Sequence, residues 1–453
     1  MPYIAATDNE RKAMLERIGA ASVEELFSVI PASARFPKLK LPLPLSEMEA
    51  MREIESLAAK NLCASTSAWF LGAGAYYHFI PAVVDALSSR GEFLTAYTPY
   101  QPEVSQGTLQ AIFEYQSMAS ALLGVEVVNA SHYDGATALA EAVLMAYNAS
   151  GAATGLASGG RDKAIVCADL DPEYKDVMRS YASAFPIRLE FLDLPPEAAA
   201  IRSDDSTFCV VVPYPSFSGT LGDIAAAATS AHAAGAFLVV HTDPIMCGLL
   251  KSPGEMGADI VAAEGQALGN PMSFGGPFLG MLGSSAKLVR KMPGRLVGEA
   301  KDAQGRRGFV LTLTAREQHI RREKAVSNIC SNQGLAMLRA CIYLAAMGRS
   351  GMRKVAELCW SKAHYAAGLI AALPGFAVPA LGSKQEFFKE FVVLTPIPAA
   401  EIADKLSRRG VVPGFPLSRY YPERTHELLV CVTEMCTKGQ IELLARSLEE
   451  AAE

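Results

Sequence analysis

Ala236-Phe-Leu-Val-Val-His-Thr-Asp243 is an apolar run with a carboxylate at its far end, and its reading decides the fold. A run without strict polar alternation predicts a strand covered on both faces that delivers Asp243 at its carboxyl end. Gly257-Ala-Asp-Ile-Val-Ala-Ala-Glu-Gly-Gln266-Ala267 follows, then a glycine-rich turn, Ser273-Phe-Gly-Gly-Pro277. Working outward, further strand candidates, most of them similarly continuous apolar runs, occupy 125–129, 164–168, 187–192, 208–212, 260–262 and 278–282. Between them, 106–123, 135–148 and 223–234 are each long enough for a crossover helix. Buried strands alternating with helices predict an α/β layer structure with a mostly parallel sheet of about seven strands. Ligands gather at the carboxyl ends of strands in such sheets, where Asp243 and the 129–137 loop both fall.

The chain has 453 residues, half of them hydrophobic, enough for one large core and a smaller one. A net charge of -6 argues against nucleic-acid or anionic-membrane partners. No apolar run approaches the ~18–20 residues a bilayer span needs, and the first residues lack the apolar core of a signal peptide. Nine cysteines show no zinc spacing, which suits reduced thiols and a cytoplasmic location. Flanking the α/β region, residues 1–61 read as an N-terminal helical arm, with helices expected over 8–18, 22–30 and from 46 to about 61. Ser22 with Glu25 and Ser46 with Glu49 have capping-box spacing. The proline-rich segment 36–44 is expected to lie extended across another surface. A large domain over 62–325, a connecting helix over 326–350 and a small α+β domain over 351–453 complete the layout. In the small domain, strands are expected at 376–379, 391–395 and 428–432, and helices at 401–409 and 438–451.

Several clusters carry chemistry or its bland equivalent. Asn129-Ala-Ser-His-Tyr-Asp134-Gly135-Ala-Thr137 sits at a strand-to-helix turn, where free N–H groups could cradle an anion; an Asp134 N-cap on a tight turn explains the same residues. Tyr97-Thr-Pro-Tyr100-Gln101-Pro-Glu103-Val-Ser105-Gln106 is either a recognition loop held by its prolines or a rigid surface turn capped by Ser105. His78, after Gly72-Ala-Gly74-Ala-Tyr76-Tyr, is either an acid/base or a packed core histidine. Arg306, Arg307, Arg316, His319, Arg321, Arg322 and Lys324 make a basic cluster that reads first as a solvated face.

A strand-end aspartate, a lysine roughly two dozen residues on and then a glycine turn resembles the layout of fold-type I pyridoxal-phosphate-dependent enzymes. There the aspartate meets the pyridine nitrogen and the lysine holds the cofactor. In this chain Ala267, beside Gln266, stands at the lysine's place. Lys251 and Lys287 are badly placed to substitute for it. The resemblance implies a chain that cannot hold the cofactor covalently and needs a partner that can. Asp134, Gly135, Thr137, Asp243 and Gln266 would then mark a vestigial cofactor site.

Five longer stretches narrow the resemblance: FLGAGAYYHFIP from Phe70, YTPYQPEVSQGTLQAIFEYQ from Tyr97, DGATALAEA from Asp134, GADIVAAEGQALGNPMSFGGPFLG from Gly257 and REQHIRREKAVSNICSNQ from Arg316. Together they resemble the P-protein family of the glycine cleavage system, glycine dehydrogenase (decarboxylating), in its two-chain form, and within it the subunit that lacks the lysine. The family implies a lysine-bearing subunit 2 carrying pyridoxal phosphate, glycine as substrate and lipoylated H-protein as acceptor. Glycine would lose CO2 and the aminomethyl group would pass to the lipoyl arm. By analogy across fold-type I interfaces, Tyr97, Tyr100, Gln101, Glu103, Ser105 and Gln106 would face the partner's cleft. Ser327, Asn328 and Cys330 would approach its cofactor phosphate. The other reading is a non-catalytic scaffold or regulatory paralogue on the same fold. No metal is expected.

Overall fold

Seven apolar runs become seven neighbouring strands, as the sequence pattern expects. In the computed structural model, which describes residues 5–35, 37–94, 97–151, 160–193, 204–316, 318–325, 333–383 and 385–453, they are β1 (Val127–Val128), β2 (Lys163–Cys167), β3 (Arg188–Leu192), β4 (Thr207–Tyr214), β5 (Phe237–Thr242), β6 (Ile260–Glu264) and β7 (Gly280–Ser284). Their order across the sheet is β1-β7-β6-β5-β4-β2-β3. The ladders from β6 to β3 are parallel, and β7 runs antiparallel to both β6 and β1. Successive side chains on a strand point to opposite faces, so continuous apolarity means a layer on each side. Ile165, Val210, Leu238, Val240 and Val261 join one core cluster, with the Gln106–Leu123 and Ile224–Ala233 helices and the first half of the Gln333–Ala371 helix. Ala164, Val166, Val211, Val239 and Ile260 join the other, under the Gly135–Ala149 helix.

A separate core lies in the small domain. Strands Glu390–Leu394, Phe415–Pro416 and Glu427–Cys431 form an antiparallel sheet, covered by the Ala399–Ser407 and Lys438–Ala452 helices and the later turns of Gln333–Ala371. Ala68 and Phe70 belong to this core, because Ala68–Trp69 pairs in parallel with Val411–Val412.

Contacts divide the chain into Met1–Leu62 and Cys63–Glu453. The first unit holds the Asp8–Ile18 and Glu47–Ala58 helices, opened by capping boxes of Thr7 with Glu10 and Ser46 with Glu49. Neither helix buries a residue, and Leu39, Leu41, Leu43, Met48, Met51 and Ile54 are all exposed.

Four local expectations change. At 22–30 only a 3-10 turn forms, Glu24–Phe27: the segment is rich in β-branched and aromatic residues and buries nothing that would hold a longer helix. The strand expected at 376–379 is a single bridge, Ala377 to Leu394, followed by a 3-10 turn. The sequence from 314 to 349 reads as one long helical or near-helical connector, but Thr314–Arg316, Gln318–Arg321 and Arg322–Lys324 are separate short turns ahead of the Gln333–Ala371 helix. Leu296–Lys301 and Arg307–Thr312, not anticipated, form a hairpin whose turn is tied by Asp302 to the N–H groups of Gln304 and Arg306. Its charged outer residues mask the strand pattern. Arg306 and Arg307 are exposed on it and pair with Asp302 and Glu299, in keeping with a solvated face.

Candidate functional site

β5 ends at Thr242, whose hydroxyl donates to the Tyr214 carbonyl at 2.8 Å, and Asp243 follows directly at the carboxyl end of the sheet. Asp243 Oδ1 accepts the Ile245 N–H at 2.9 Å, and Oδ2 lies 2.7 Å from Lys389 Nζ. Lys389 comes from the small domain, at the entrance to strand Glu390–Leu394, and is 1 % exposed. Its ammonium also meets His78 Nε2 at 3.2 Å and sits 3.4 Å from the centre of the Tyr76 ring. Carboxylate, imidazole nitrogen and aromatic face therefore each receive one side of the cation. Burial acts to neutralise Lys389, but the Asp243 charge reverses this and leaves its pKa raised. Removing one member of such a buried pair typically costs about 3–5 kcal/mol.

The network continues outward on both sides. His78 Nδ1 lies 2.6 Å from Glu434 Oε2, so with Lys389 donating to Nε2 the ring is the Nδ1–H tautomer. His78 is thus a packed relay between two charged groups. Burial would push the Glu434 carboxyl up, but the hydrogen bonds from the His78 ring and the Phe79 N–H hold it at about 2. On the other side, Tyr76 donates its hydroxyl to Glu390 Oε2 at 2.7 Å, and the Ala73 N–H donates to Glu390 Oε1. Glycine at 72 permits this approach: a Cβ there would lie 2.3 Å from Glu390 Oε1 and 2.6 Å from the Cys431 Cβ. The Tyr76 N–H donates to Gln266 Oε1 at 3.0 Å, linking Gln266 to the same cleft.

At the 129–137 turn the capping alternative is realised. Asp134 Oδ1 accepts the Thr137 N–H at 2.8 Å, and Glu264, at the end of β6, accepts the Gly135 N–H at 2.7 Å. Glu264 also takes the N–H groups of Gln266 and Leu279, while burial, the larger effect, pushes its carboxyl up to about 8. His132 is buried with Nε2 2.8 Å from Asn129 Nδ2, and burial holds its pKa at about 3. Ala267 is buried in the large core with Leu268 and Leu279. The space left between Asp243, Tyr76, Asp171, Tyr174, Glu264 and Glu390 is about 50 Å³. That is room for a few waters, against the ~300–1,000 Å³ of ordinary ligand pockets.

These residues do not fit pyridoxal phosphate. Ala267 stands where the resemblance places a lysine, Asp243 already has the Lys389 cation 2.7 Å away, and the Gly135 and Thr137 N–H groups at the helix start are taken by Glu264 and Asp134.

A larger, more apolar cavity of about 390 Å³ opens elsewhere, lined by Leu94, Tyr97, Pro99, Arg295, Leu335 and Leu338 among others. Tyr97 is 76 % exposed and Tyr100 53 %, and Arg295 Nη2 donates to the Tyr100 hydroxyl at 3.2 Å. Gln101 and Glu103 are exposed and Ser105 is half-buried at the N-cap position, without a side-chain capping bond. Gln106 instead clamps the hairpin, exchanging hydrogen bonds with the Phe309 N–H and carbonyl at 2.9 Å each. Ser327, Asn328 and Cys330 lie outside the described residues.

The sequence missed Lys389, Glu390 and Glu434. One signal was available: Phe387-Phe-Lys-Glu-Phe-Val-Val-Leu394 sets two opposite charges inside an apolar run, which calls for buried partners.

The mostly parallel sheet, the strand-end aspartate and the small antiparallel domain define the class as fold type I of the pyridoxal-phosphate-dependent enzymes. A Burkholderia pseudomallei sphingosine-1-phosphate lyase shares that fold at a TM-score of 0.64, with 18% identity over 93% of this chain and 94% of its own. The glycine cleavage system P-protein family model matches residues 1–448, and the chain belongs to that family. A relative from Thermomicrobium roseum, named as a probable glycine dehydrogenase (decarboxylating) subunit 1, is 50% identical over the full length of both chains. One of the same name from Moorella thermoacetica is 48% identical over 99% of each. The crystal structure of a glycine decarboxylase (P-protein) of the glycine cleavage system, in inhibitor-bound form, matches at a TM-score of 0.89, with 44% identity and full coverage of both chains.

Proposed function

We propose that this chain is the non-lysine subunit of a two-chain glycine decarboxylase of the glycine cleavage system. With a lysine-bearing subunit 2 it decarboxylates glycine, releases CO2 and passes the aminomethyl group to the lipoyl arm of H-protein. Pyridoxal phosphate is carried on the partner's lysine, where it supplies the electron sink for decarboxylation. The observation that carries this reading is alanine at position 267, beside a filled cleft, in a chain that matches subunit 1 relatives end to end. The proposed role is to complete the cofactor-bearing cleft of that partner.

Tyr97, Tyr100, Gln101, Glu103 and Ser105 are the proposed wall of the partner's cleft, supported by the exposure of the first four beside the open apolar cavity. Gln106 holds the loop in place through Phe309. Ser327, Asn328 and Cys330 keep their role near the partner's cofactor phosphate on sequence alone. The proposed division is an arm over 1–61, a large domain over 62–325, a connecting helix over 326–350 and a small domain over 351–453. The exposed apolar side chains of the arm suit a subunit interface of the obligate class. No helix among the described residues is long and apolar enough to cross a membrane, and a cytoplasmic location goes with the proposal.

The deciding assay is glycine–bicarbonate exchange with H-protein, comparing this chain alone, subunit 2 alone and the two together. Exchange is expected only from the mixture. Exchange by this chain alone, or full exchange by subunit 2 alone, would refute the assignment.

A further inference from the structure

We propose that Lys389 is a built-in counter-ion standing where a cofactor's ring cation would meet Asp243, and that it keeps this chain's own cleft shut to cofactor and substrate. The inference rests on the fold and the geometry around Asp243, not on the glycine reading, and would stand if the exchange assay failed.

Three features converge on it. The first is charge. A strand-end carboxylate in this fold is placed to pair with a protonated ring nitrogen, and Lys389 Nζ offers the same charged N–H donor 2.7 Å from Oδ2. The ammonium is itself fixed by His78 at 3.2 Å and by the Tyr76 face, so it has no freedom to swing aside. The second is the helix start. The Gly135 and Thr137 N–H groups, which would draw an anion, are taken by Glu264 at 2.7 Å and Asp134 at 2.8 Å. A phosphate arriving there would meet two carboxyl groups and no free donor of that pair. The third is space. About 50 Å³ remains, and even the glycine at 135 is hemmed in: a Cβ would lie 2.6 Å from the Tyr174 hydroxyl and 2.9 Å from the Glu264 Cβ.

The cation arrives on the small domain and its anion sits on the large one, so the pair ties the two together across the cleft. Opening would part the two charges and, with them, the hydrogen bond from the Tyr76 N–H to Gln266. The cleft of a cofactor-binding chain must admit its ligand; this one holds itself closed from within. Restoring a lysine at position 267 alone therefore does not restore a cofactor site.

The test uses the full-length chain and pyridoxine 5′-phosphate, which carries the ring nitrogen and phosphate but no aldehyde to react with surface lysines. Equilibrium dialysis of the unaltered chain and of Ala267→Lys is expected to show no saturable binding below ~1 mM. One equivalent bound in that range by either chain overturns the proposal. In parallel, Lys389→Ala should melt roughly 5 °C lower, because it leaves Asp243 buried without its cation. n-Butylammonium should restore part of that loss, and should not raise the melting temperature of Lys389→Ala with Asp243→Asn. A wild-type Tm for Lys389→Ala, or equal rescue of both variants, rejects Lys389 as counter-ion. If Lys389→Ala yields no folded protein, the dialysis of the unaltered chain decides.

Discussion

Glu434→Gln is expected to destabilise the protein strongly at neutral pH and much less in acid. The folded carboxyl titrates at about 2 against an ordinary 4.5, because the His78 ring and the Phe79 N–H outweigh burial. The folded state thus binds that proton more weakly than the unfolded one. The resulting stabilisation is complete above about pH 5 and is lost as the pH falls toward 2. At about 1.36 kcal/mol per pH unit it amounts to roughly 3 kcal/mol. Glutamine keeps the shape but presents one acceptor oxygen, where Glu434 serves both His78 and Phe79. That lost acceptor adds about 1 kcal/mol at every pH. The difference between the two chains should therefore be about 4 kcal/mol at pH 7 and shrink to about 2 kcal/mol at pH 3. Urea unfolding at several pH values measures it, with the remaining titrating groups common to both chains. A difference that stays constant across this range would refute the charge-based account of the network.

Three further outcomes are expected. Gly72→Ala drives a methyl group into Glu390 Oε1 and the Cys431 Cβ, and should cost about 2 kcal/mol or more in the same unfolding assay; a cost under about 0.5 kcal/mol would mean that the loop can shift. Tyr100→Ala should lower glycine–bicarbonate exchange of the two-chain complex while leaving pyridoxal phosphate bound to the partner, read by its absorbance; unchanged exchange would remove the 97–106 loop from the partner's cleft. Deleting residues 1–61 should leave the Cys63–Glu453 unit folded by circular dichroism but abolish co-purification with subunit 2, and undiminished co-purification would show that the arm's exposed apolar residues do not hold the partner.

The central strands β2, β4, β5 and β6 were legible in the sequence because a parallel strand covered on both faces must be apolar at nearly every position, a local property. The hairpin at Leu296–Lys301 and Arg307–Thr312 was not: only one face is covered, and its charged residues break the pattern. The segment 22–30 misled for the opposite reason, since a good capping pair cannot hold a helix that has nothing to pack against.

At the cleft the division is sharper. Asp243 at a strand end, Ala267 where a lysine is expected and the family's motifs are all written along the chain, and they determine the fold class and the family. Whether Asp243 still waits for a ligand is written nowhere locally. Its partner Lys389 lies on another domain and is brought 2.7 Å away only when the small domain seats on the large one. Likewise, Glu264 and Gly135 meet only because β6 ends beside the start of the Gly135–Ala149 helix. A buried charge must find an opposite charge, and the chain's local pattern states the need without naming the partner. Tertiary packing alone supplies it, and so decides that this cofactor-type cleft is closed by the protein's own side chains.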